Sequence, residues 1–390
     1  MALSPDPHAA GLASKFATQA LTLPLMSHEE EHVGVLLEKA PRGVIFPSND
    51  ANVQNLARHA EILAEAGFHF YAPSSAALDG LINKDSLCAT CAECGVRTPR
   101  STLVRTEDDL AHAAERFAYP LLLKPTNLAG GVYRLVPERS KLREQYQELR
   151  SLLLTAPYRH RKAGIMVQEW IPQESAELWN ITGCVADGEI TCAAMGRRLR
   201  TERRRDGTTG SALLHGVSAY DEEIYGLTQK LLRHVRYRGL VECEWSKSIA
   251  DGGGTVLYDV NPRPSGNIRW ALGSGAPLVE HYYRLALGLE PSRGPVMQEG
   301  IEYFKVIWAQ TDIGGALENP AYSPLDVVRV GLQNVRAMLP FSRAVVDVWD
   351  TRDAGPTWSI VRQQSGRLLR GALRKLRPHR RWDPAQAGRA

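Results

Sequence analysis

The sequence predicts an α/β protein. Two patterns indicate this class. Between residues 43 and 104, apolar runs as long as a strand alternate with stretches of helical spacing, which is typical of parallel α/β units. From residue 165 onward, strand-like runs follow one another across short turns, which indicates antiparallel pairing. The chain of 390 residues is long enough for two or three domains.

The first predicted unit is a strand, a helix and a strand. Residues 43–47 are a short apolar run that ends at the turn Ser48-Asn49-Asp50, and residues 51–66 carry apolar side chains at helical spacing. Residues 68–72 are the next predicted strand. Because the sequence before residue 43 contains no convincing strand, we expect this parallel unit to be incomplete.

The rest of the chain alternates in the same way before the pattern loosens after residue 290. The strand predicted at 165–171 is expected to continue in an antiparallel series, whose turn Ala186-Asp187-Gly188-Glu189 is typical of a hairpin. The remaining predicted elements are helices at 84–95, from 107 and at 221–236, strands at 101–104, 119–125, 181–186, 190–195, 240–245 and 256–260, and a basic helix at 366–381.

The composition narrows the function classes. A formal net charge of +4 is too small to indicate nucleic acid binding. No apolar run reaches the roughly 18 residues that a membrane helix needs, and the N-terminus lacks the pattern of a signal peptide. The six cysteines do not form a disulfide framework for so long a chain, which indicates reduced thiols and a cytoplasmic location.

Two consecutive predicted strands carry the polar residues that indicate chemistry. Side chains alternate along a strand, so Asp259, Asn261 and Arg263 share one face, and Glu242 and Glu244 share a face of the strand before. Carboxylate and amide oxygens are ligands that Mg²⁺ prefers, and an arginine beside them would neutralise phosphate oxygens. The alternative is a solvated polar hairpin.

Asp259-Val260-Asn261-Pro262-Arg263 resembles the E-x-N-P-R signature of the ATP-grasp superfamily, with Asp259 at the position usually held by Glu. Other motifs occur in that family's order over residues 43–290. They are Lys84 followed by a helix and Gly95–Pro99, the run Tyr119–Pro125 that contains Lys124, and the run Val167–Pro172. The resemblance implies an ATP-grasp fold, with a truncated N-terminal α/β domain at 1–80, an ATP-grasp domain at 81–290 and a C-terminal extension at 291–390. Within the ATP-grasp domain, it implies a lid of α+β character at about 100–168.

The resemblance also implies a role for each matching residue. A strand-end lysine taken alone is as often a side chain that reaches for water, so the two lysines gain weight from occurring together. The implied ATP-binding residues are Lys84 and Lys124 on phosphates, Glu169, Trp170 and Ile171 at the adenine, and Glu177 or Glu174 on the ribose. The implied ligands of two Mg²⁺ ions are Glu244, Asp259 and Asn261, and Arg263 would hold the transferred phosphoryl group.

A second segment resembles the basic strand and loop of carboxylate–amine ligases, the branch that includes D-aspartate ligases. Arg198 and Arg200 are two residues apart, so on a regular strand both face one way and would hold an acyl phosphate. The following loop, 202–210, is expected to cover the substrates. Its arginines 203–205 have a plain alternative as a solvated charge run.

The implied function is an ATP-dependent carboxylate–amine ligase that forms an amide through an acyl phosphate, with an amino acid or small peptide as the expected substrate. The expected partners are a small carboxylate and an amine, and no nucleic acid. Two alternatives stay open. One is an ATP-grasp enzyme that uses bicarbonate, and the other is a non-catalytic ATP-binding module, because Asp259, the glycine-poor loop at 127–132 and the truncated front depart from the family pattern. A homodimer and peripheral membrane contact through the basic C-terminal helix are also open, and the sequence does not name the substrates.

Overall fold

The structure is a computed structural model, and it describes residues 1–23, 29–126, 132–155, 164–171, 176–203, 209–249, 254–291, 297–305, 322–339, 342–347 and 350–362. The helices in these residues are α1 Glu29–Lys39, α2 Asp50–Arg58, α3 Ala60–Glu65, α4 Ser75–Ile82, α5 Lys84–Glu93, α6 Glu107–Arg116, α7 Arg139–Leu153, α8 Glu222–His234, α9 Ile268–Gly273, α10 Leu278–Ala286 and α11 Pro324–Met338.

The strands are β1 Ala2–Ser4, β2 Ala20–Thr22, β3 Ser101–Val104, β4 Leu121–Pro125, β5 Arg134–Val136, β6 Ile165–Glu169, β7 Ala176–Ala186, β8 Glu189–Arg203, β9 Thr209–Ser218, β10 Gly239–Ser248, β11 Thr255–Asn261, β12 Glu302–Phe304 and β13 Val345–Val346. The mixture of helices with two larger sheets confirms the predicted α/β class with an α+β region.

A seven-stranded sheet forms the centre of the described molecule, in the order β11-β10-β7-β8-β9-β12-β13. The predicted hairpin between β7 and β8 is present, and Asp187 and Gly188 have φ values of 48° and 90° that fit a tight turn. Helices α4, α5 and α8 bury apolar residues on one face, and α9 and α10 cover the other. With both faces covered, its strands are largely apolar runs.

A four-stranded antiparallel sheet, in the order β3-β6-β4-β5, lies within residues 101–169. Helices α6 and α7 pack on it through a cluster that includes Leu110, Leu142 and Leu149. Thr106 and Asp109 form a capping box at the start of α6, which confirms that the acidic run begins a helix. The expected series from β6 into β7 is wrong, because β6 pairs with β3 and β4 and ends at Glu169.

The N-terminal region differs from the predicted parallel unit. The two predicted strands are reduced to one parallel bridge between Val44 and His69, with hydrogen bonds on either side of it. The helix predicted at 51–66 is divided at His59, whose φ of −108° and ψ of 25° are not helical. The short parallel strands β1 and β2 were not predicted, because three residues are too few for a periodic pattern.

The segment after residue 290 completes the large sheet. Strand β12 pairs antiparallel with β9, and β13 pairs parallel with β12. Helix α11 packs against this edge, where Phe304, Ala337 and Val346 form a small core. The basic helix predicted at 366–381 and most of the loop at 127–132 lie outside the described residues. Within the described part of the chain, each helix is too short or too polar to cross a membrane.

We expect Gly196→Ala to destabilise the protein and Gly226→Ala to stabilise it. A Cβ atom at Gly196 would overlap the Val217 carbonyl oxygen and the Trp270 ring, so the sheet or α9 would have to shift, at a cost of about 2 kcal/mol. Gly226 lies in α8 with open space around it, and alanine there favours the helix by about 1 kcal/mol. Urea unfolding of both variants measures the difference, and equal stabilities would contradict this packing.

Candidate active site

The middle of β10 and the end of β11 bring acidic and amide side chains together. In the antiparallel pairing of these strands, Glu244 lies directly opposite Asp259, and Glu242 lies directly opposite Asn261. The amide nitrogen of Asn261 is 3.3 Å from a Glu242 oxygen and 3.5 Å from a Glu244 oxygen. The structure therefore places the three residues predicted to bind metal, Glu244, Asp259 and Asn261, in one cluster.

Two lysines from other elements face this cluster. Lys84 begins α5, and its Nζ donates to Asp259 at 2.8 Å. Its backbone N–H donates to the carbonyl oxygen of Thr126 at 2.9 Å, which ties the start of α5 to the end of β4. Lys124 lies on β4, with Nζ 5.6 Å from the centroid of the Tyr258 ring on β11. The charge of each lysine therefore acts on the same carboxylates.

The surroundings move the pKa values of the two lysines in opposite directions. Burial alone would lower the pKa of Lys84, but the hydrogen-bonded Asp259 carboxylate outweighs it, so that pKa is raised. Burial, and then the charge of Lys84, lower the pKa of Lys124 to about 8, although Asp259 and Glu244 oppose the shift. Lys124 is thus a desolvated ammonium group that forms no ion pair within the part of the chain that the structure describes, and a bound anion would favour its charged form.

Glu242 is the buried centre of the cluster, and sequence reasoning did not include it among the site residues. Its side chain is 5% exposed and accepts from Asn180, Ser265, Asn261 and Arg263 at 2.7–3.3 Å. Four donors satisfy a buried carboxylate that would otherwise be costly. The sequence signal for it was alternation, since Glu242 lies two residues before Glu244 on one strand.

Arg198 reaches the same cluster from β8, which is separated from β10 by strand β7. Its guanidinium lies 2.9 Å from a Glu244 oxygen, is only 6% exposed, and also donates to the Asn180 side chain. Burial raises the pKa of Glu244, Arg198 lowers it, and the nearby Glu242 and Asp259 raise it again, so the net shift is upward. Burial is the largest of these causes, so the raised pKa indicates that Arg198 does not fully offset the cost of burying the Glu244 carboxylate.

Arg200 contacts a different element from Arg198, although both line one cavity together with Arg197. Nη1 of Arg200 donates to Gln333 on α11 at 2.6 Å. The pairing of β8 with β9 shifts register between Arg198 and Arg200, so the regular alternation behind the predicted shared face is interrupted there, and the shared role of the two arginines stays a prediction. A bulge of this kind breaks the alternation on which the prediction depended.

Arg263 is held between two carboxylates. Its Nη1 donates to Glu242 at 3.2 Å, and its Nε lies 3.4 Å from Asp50 at the start of α2. Asp50 is a contact that sequence reasoning missed, because it belongs to a turn that is distant in the chain. The N-terminal region therefore contributes directly to the position of this arginine.

The residues predicted to bind adenine and ribose lie at the end of β6 and the start of β7. Glu169 accepts from the backbone and side chain of Arg100 at 2.9 and 2.7 Å. Trp170 and Ile171 follow it and are partly exposed. Glu177 accepts from Arg197 at 2.8 Å and from Trp179 at 3.2 Å. Glu174, the alternative ribose residue, lies outside the described residues.

Comparison with known proteins adds the following relatives. No protein-family model matches the chain. It is 22% identical over 234 residues to the arginine-specific large chain of carbamoyl phosphate synthase from Bacillus subtilis, which covers 59% of this chain and 21% of that relative. It is 22% identical over 264 residues to the C-terminal section of the carbamoyl phosphate synthase large chain from Aquifex aeolicus. That match covers 66% of this chain and 46% of that relative. The chain thus spans less than half the length of either relative.

Solved structures match over more of the chain. Biotin carboxylase from Campylobacter jejuni matches with a TM-score of 0.62 and 17% identity, covering 77% of this chain and 68% of that one. The biotin carboxylase domain of the Hydrogenobacter thermophilus 2-oxoglutarate carboxylase was solved with MgADP and bicarbonate. It matches with a TM-score of 0.61 and 16% identity, covering 75% of this chain and 64% of that one. The L-amino acid ligase from Bacillus licheniformis matches with a TM-score of 0.54 and 18% identity, covering 74% of this chain and 70% of that one.

These structures share one architecture. The chain has the ATP-grasp fold. In this fold the four-stranded sheet of residues 101–169 and the seven-stranded sheet contribute the two sides of the cluster, Lys124 from the first and Glu244 with Asp259 from the second. The resemblance drawn from the sequence motifs is therefore confirmed at the level of the fold, and the roles of the individual residues stay predictions.

The donor set of this cluster fits a divalent cation. The side chains of Asp259 and Glu244 are 31% and 21% exposed, so a cation can reach both carboxylates. The described residues contain no group of three or more His, Cys, Asp or Glu side chains placed to hold a metal. The protein would supply two carboxylates and the amide oxygen of Asn261, and Mg²⁺ commonly completes such a set with substrate phosphates.

We expect Arg198→Met to destabilise the protein by about 3 kcal/mol, because it leaves Glu244 partly buried beside two other carboxylates without its cation. Since the pKa of Glu244 is already raised above its ordinary 4.5, the native state binds the extra proton, and stability falls as pH rises through that window. The deficit should therefore shrink as the pH is lowered toward the shifted pKa.

Urea unfolding at several pH values measures this deficit. Arg233→Met is the matched control, because Arg233 pairs with Glu189 on the exposed surface and should have little effect. A deficit in Arg198→Met that is no larger than in the control, or that grows on acidification, would remove the assigned role of Arg198.

Proposed function

We propose that this protein is an ATP-dependent carboxylate–amine ligase that activates a carboxylate as an acyl phosphate and passes the acyl group to an amine. The observation that carries the proposal is the cluster in which Asp259 and Glu244 oppose each other, Lys84 and Lys124 face them from one side, and Arg198 lies on the other. Such a set of acids flanked by cations is what a metal-bound polyphosphate requires.

The residues divide the work of phosphoryl transfer. Mg²⁺, when bound, would neutralise the phosphate charge that develops as the γ-phosphoryl group leaves ADP. Lys124 would hold phosphate oxygens with a positive charge that its buried position makes strongly dependent on an anion. Arg263, fixed by Glu242 and Asp50, presents its remaining donors in a defined orientation, which favours one alignment of the transferred group.

The second half of the reaction needs no nucleophilic side chain. The amine nitrogen attacks the acyl carbon, the bond between that carbon and the phosphate oxygen breaks, and the released phosphate or water accepts the proton that the amine loses. What the protein must supply is protection of the acyl phosphate from water. We assign this to the loop that joins β8 to β9, whose residues 204–208 lie outside the described part of the chain, and to the neighbouring cavity of about 280 Å³ lined by Arg197, Arg198 and Arg200.

We assign residues 1–80 to an N-terminal α/β domain, 81–290 to the ATP-grasp domain with its lid at about 100–168, and 291–390 to an extension. The separate four-stranded sheet at 101–169 supports the lid. All six cysteines are free thiols, which supports a cytoplasmic location. A homodimer remains a prediction, as does the absence of a nucleic acid partner.

A second candidate is that bicarbonate is the carboxylate. Two curated relatives are carbamoyl phosphate synthase chains, and one structural neighbour is solved with bicarbonate. The same cluster would serve, because bicarbonate is phosphorylated at a carboxylate oxygen as well. Phosphate release from MgATP with bicarbonate alone separates this candidate from a ligase that needs an organic acid and an amine. Nucleotide binding without release across broad pools of acids and amines would leave the non-catalytic module.

We expect Arg263→Gln to lower phosphate release about 100- to 1,000-fold, the scale of a lost electrostatic contact in the transition state. Glutamine keeps an amide donor for Glu242, so the fold is retained. Asn261→Ala tests the metal site in the same assay and should raise the Mg²⁺ concentration needed for half-maximal rate. Arg233→Gln is the control on a distant helix. If Arg263→Gln and Asn261→Ala both turned over like the unaltered protein, the assigned roles of these two residues would be contradicted.

We expect nucleotide binding above pH 8 to take up a proton at Lys124. The pKa of Lys124 is about 8 in the free protein, and phosphate favours the charged ammonium, so binding raises this pKa and affinity falls as the pH rises through 8. Calorimetric titration with MgADP in buffers of different ionisation enthalpy measures the uptake.

Lys124→Met should abolish this uptake, whereas Lys141→Met on the exposed face of α7 should leave it unchanged. An undiminished uptake in Lys124→Met would assign the proton to another group.

A further inference from the structure

The start of α2 brings one more carboxylate to the candidate active site. Asp50 is the first residue of α2, and one of its oxygens lies 3.4 Å from Nε of Arg263. The side chain of Asp50 is 27% exposed, so a small molecule can reach it. A carboxylate in the first turn of a helix is stabilised in its charged form by the helix dipole. Asp50 is therefore an anionic group beside the arginine that would hold the transferred phosphoryl group.

The loop that carries Asp50 is anchored to α10. The hydroxyl of Tyr282 on α10 donates to the carbonyl oxygen of Ile45 at 2.9 Å, and the Tyr282 ring packs on Phe46 with 5.0 Å between the ring centroids. At the end of the loop, the Asn49 side chain accepts from the backbone N–H three residues later and caps α2. These contacts fix the direction in which α2 begins, and they hold Asp50 at the site before any substrate binds.

The other carboxylates of the site already have tasks. Glu242 is 5% exposed and accepts from four side chains, so it joins elements of the protein together. Glu244 and Asp259 are the proposed metal ligands, and each is paired with a cation of the cluster. Of these three and Asp50, Asp50 is the carboxylate that is both partly exposed and not assigned to the metal. It can therefore contact a substrate directly.

The reaction proposed above requires a place for the amine. Most primary amines, including those of amino acids, are ammonium ions near neutral pH. Arg263 would hold the phosphoryl group of the acyl phosphate, and Asp50 lies at the Nε edge of the same guanidinium. An ammonium group on Asp50 would therefore lie next to the acyl phosphate, whose negative charge attracts it as well.

We propose that Asp50 is the subsite for the cationic amino group of the amine substrate. The inference rests on the ligase function proposed above, and it specifies the acceptor as an amine that is an ammonium ion in solution, such as an amino acid or a small peptide. One proton passes from the ammonium to Asp50 and on to water, which exposes the nitrogen lone pair. The nitrogen then attacks the acyl carbon, the bond from that carbon to the phosphate oxygen breaks, and the second proton leaves with phosphate or water.

Nucleophiles of different charge test the subsite. Hydroxylamine is uncharged near neutral pH and captures an acyl phosphate as a hydroxamate, so it needs no ammonium subsite. With MgATP and a pool of organic acids, Asp50→Asn should form hydroxamate at close to the unaltered rate, because asparagine keeps an oxygen that accepts from Arg263. With amino acids as the amine, its rate of amide formation at low amine concentration should fall about 10- to 100-fold, the scale of one lost charged hydrogen bond.

Asp108→Asn is the matched control. Asp108 is also a carboxylate in the first turn of a helix, but it is exposed on α6, and its substitution should leave both reactions unchanged. Asp50→Glu restores the negative charge and should recover part of the lost amide formation. Circular dichroism and thermal unfolding verify that the three variants keep the fold.

Three results would overturn the ammonium subsite. Amide formation by Asp50→Asn equal to that of Asp108→Asn would mean that the charge of Asp50 is not used. An equal loss with hydroxylamine and with amino acids would make Asp50 a support for Arg263 only. If the unaltered protein formed no hydroxamate and released no phosphate with any acid, the ligase function itself would be contradicted, and the subsite with it.

Discussion

Glu244 and Asp259 face each other across two hydrogen-bonded strands, an arrangement that is unfavourable unless positive charge lies beside it. Lys84 supplies this positive charge at Asp259, and Arg198 supplies it at Glu244. Burial raises the pKa of Glu244 more than Arg198 lowers it, so the opposed carboxylates remain costly even with both cations in place. The rest of the site follows from this cost, which a divalent metal would reduce and which Lys84, Lys124 and Arg198 reduce from three separate elements.

Glu242 explains how so polar a cluster can sit on a buried strand. It accepts from residues on β7 and β11 and from the turn after β11, so one carboxylate joins these elements through hydrogen bonds. The apolar layer behind it, with Val241, Cys243 and Trp245, is on the opposite face of the same strand. Strand alternation thus separates a chemical face from a structural face within six residues.

The sequence was sufficient to predict the features of the fold and the site that depend on a local residue pattern. Alternation on two strands predicted the neighbours Glu244, Asp259 and Asn261, and the order of the lysine motifs predicted the fold. Non-local features were not predictable in this way. The bulge that separates Arg198 from Arg200 depends on the pairing with β9, and the partner of β6 is decided by the sheet it joins. Strands β12 and β13 are too short to show a period, and Asp50 is distant in the chain from the arginine that it holds.

The backbone hydrogen bond from Lys84 to Thr126 has a mechanical consequence. It joins the first turn of α5, a helix that packs on the seven-stranded sheet, to the residue that follows β4 in the four-stranded sheet. Lys84 therefore lies at the junction of the two sheets, with its backbone bonded to one and its side chain bonded to Asp259 on the other. Any opening of the cleft between the sheets has to stretch this backbone hydrogen bond, and it moves the ammonium group of Lys124 away from that of Lys84.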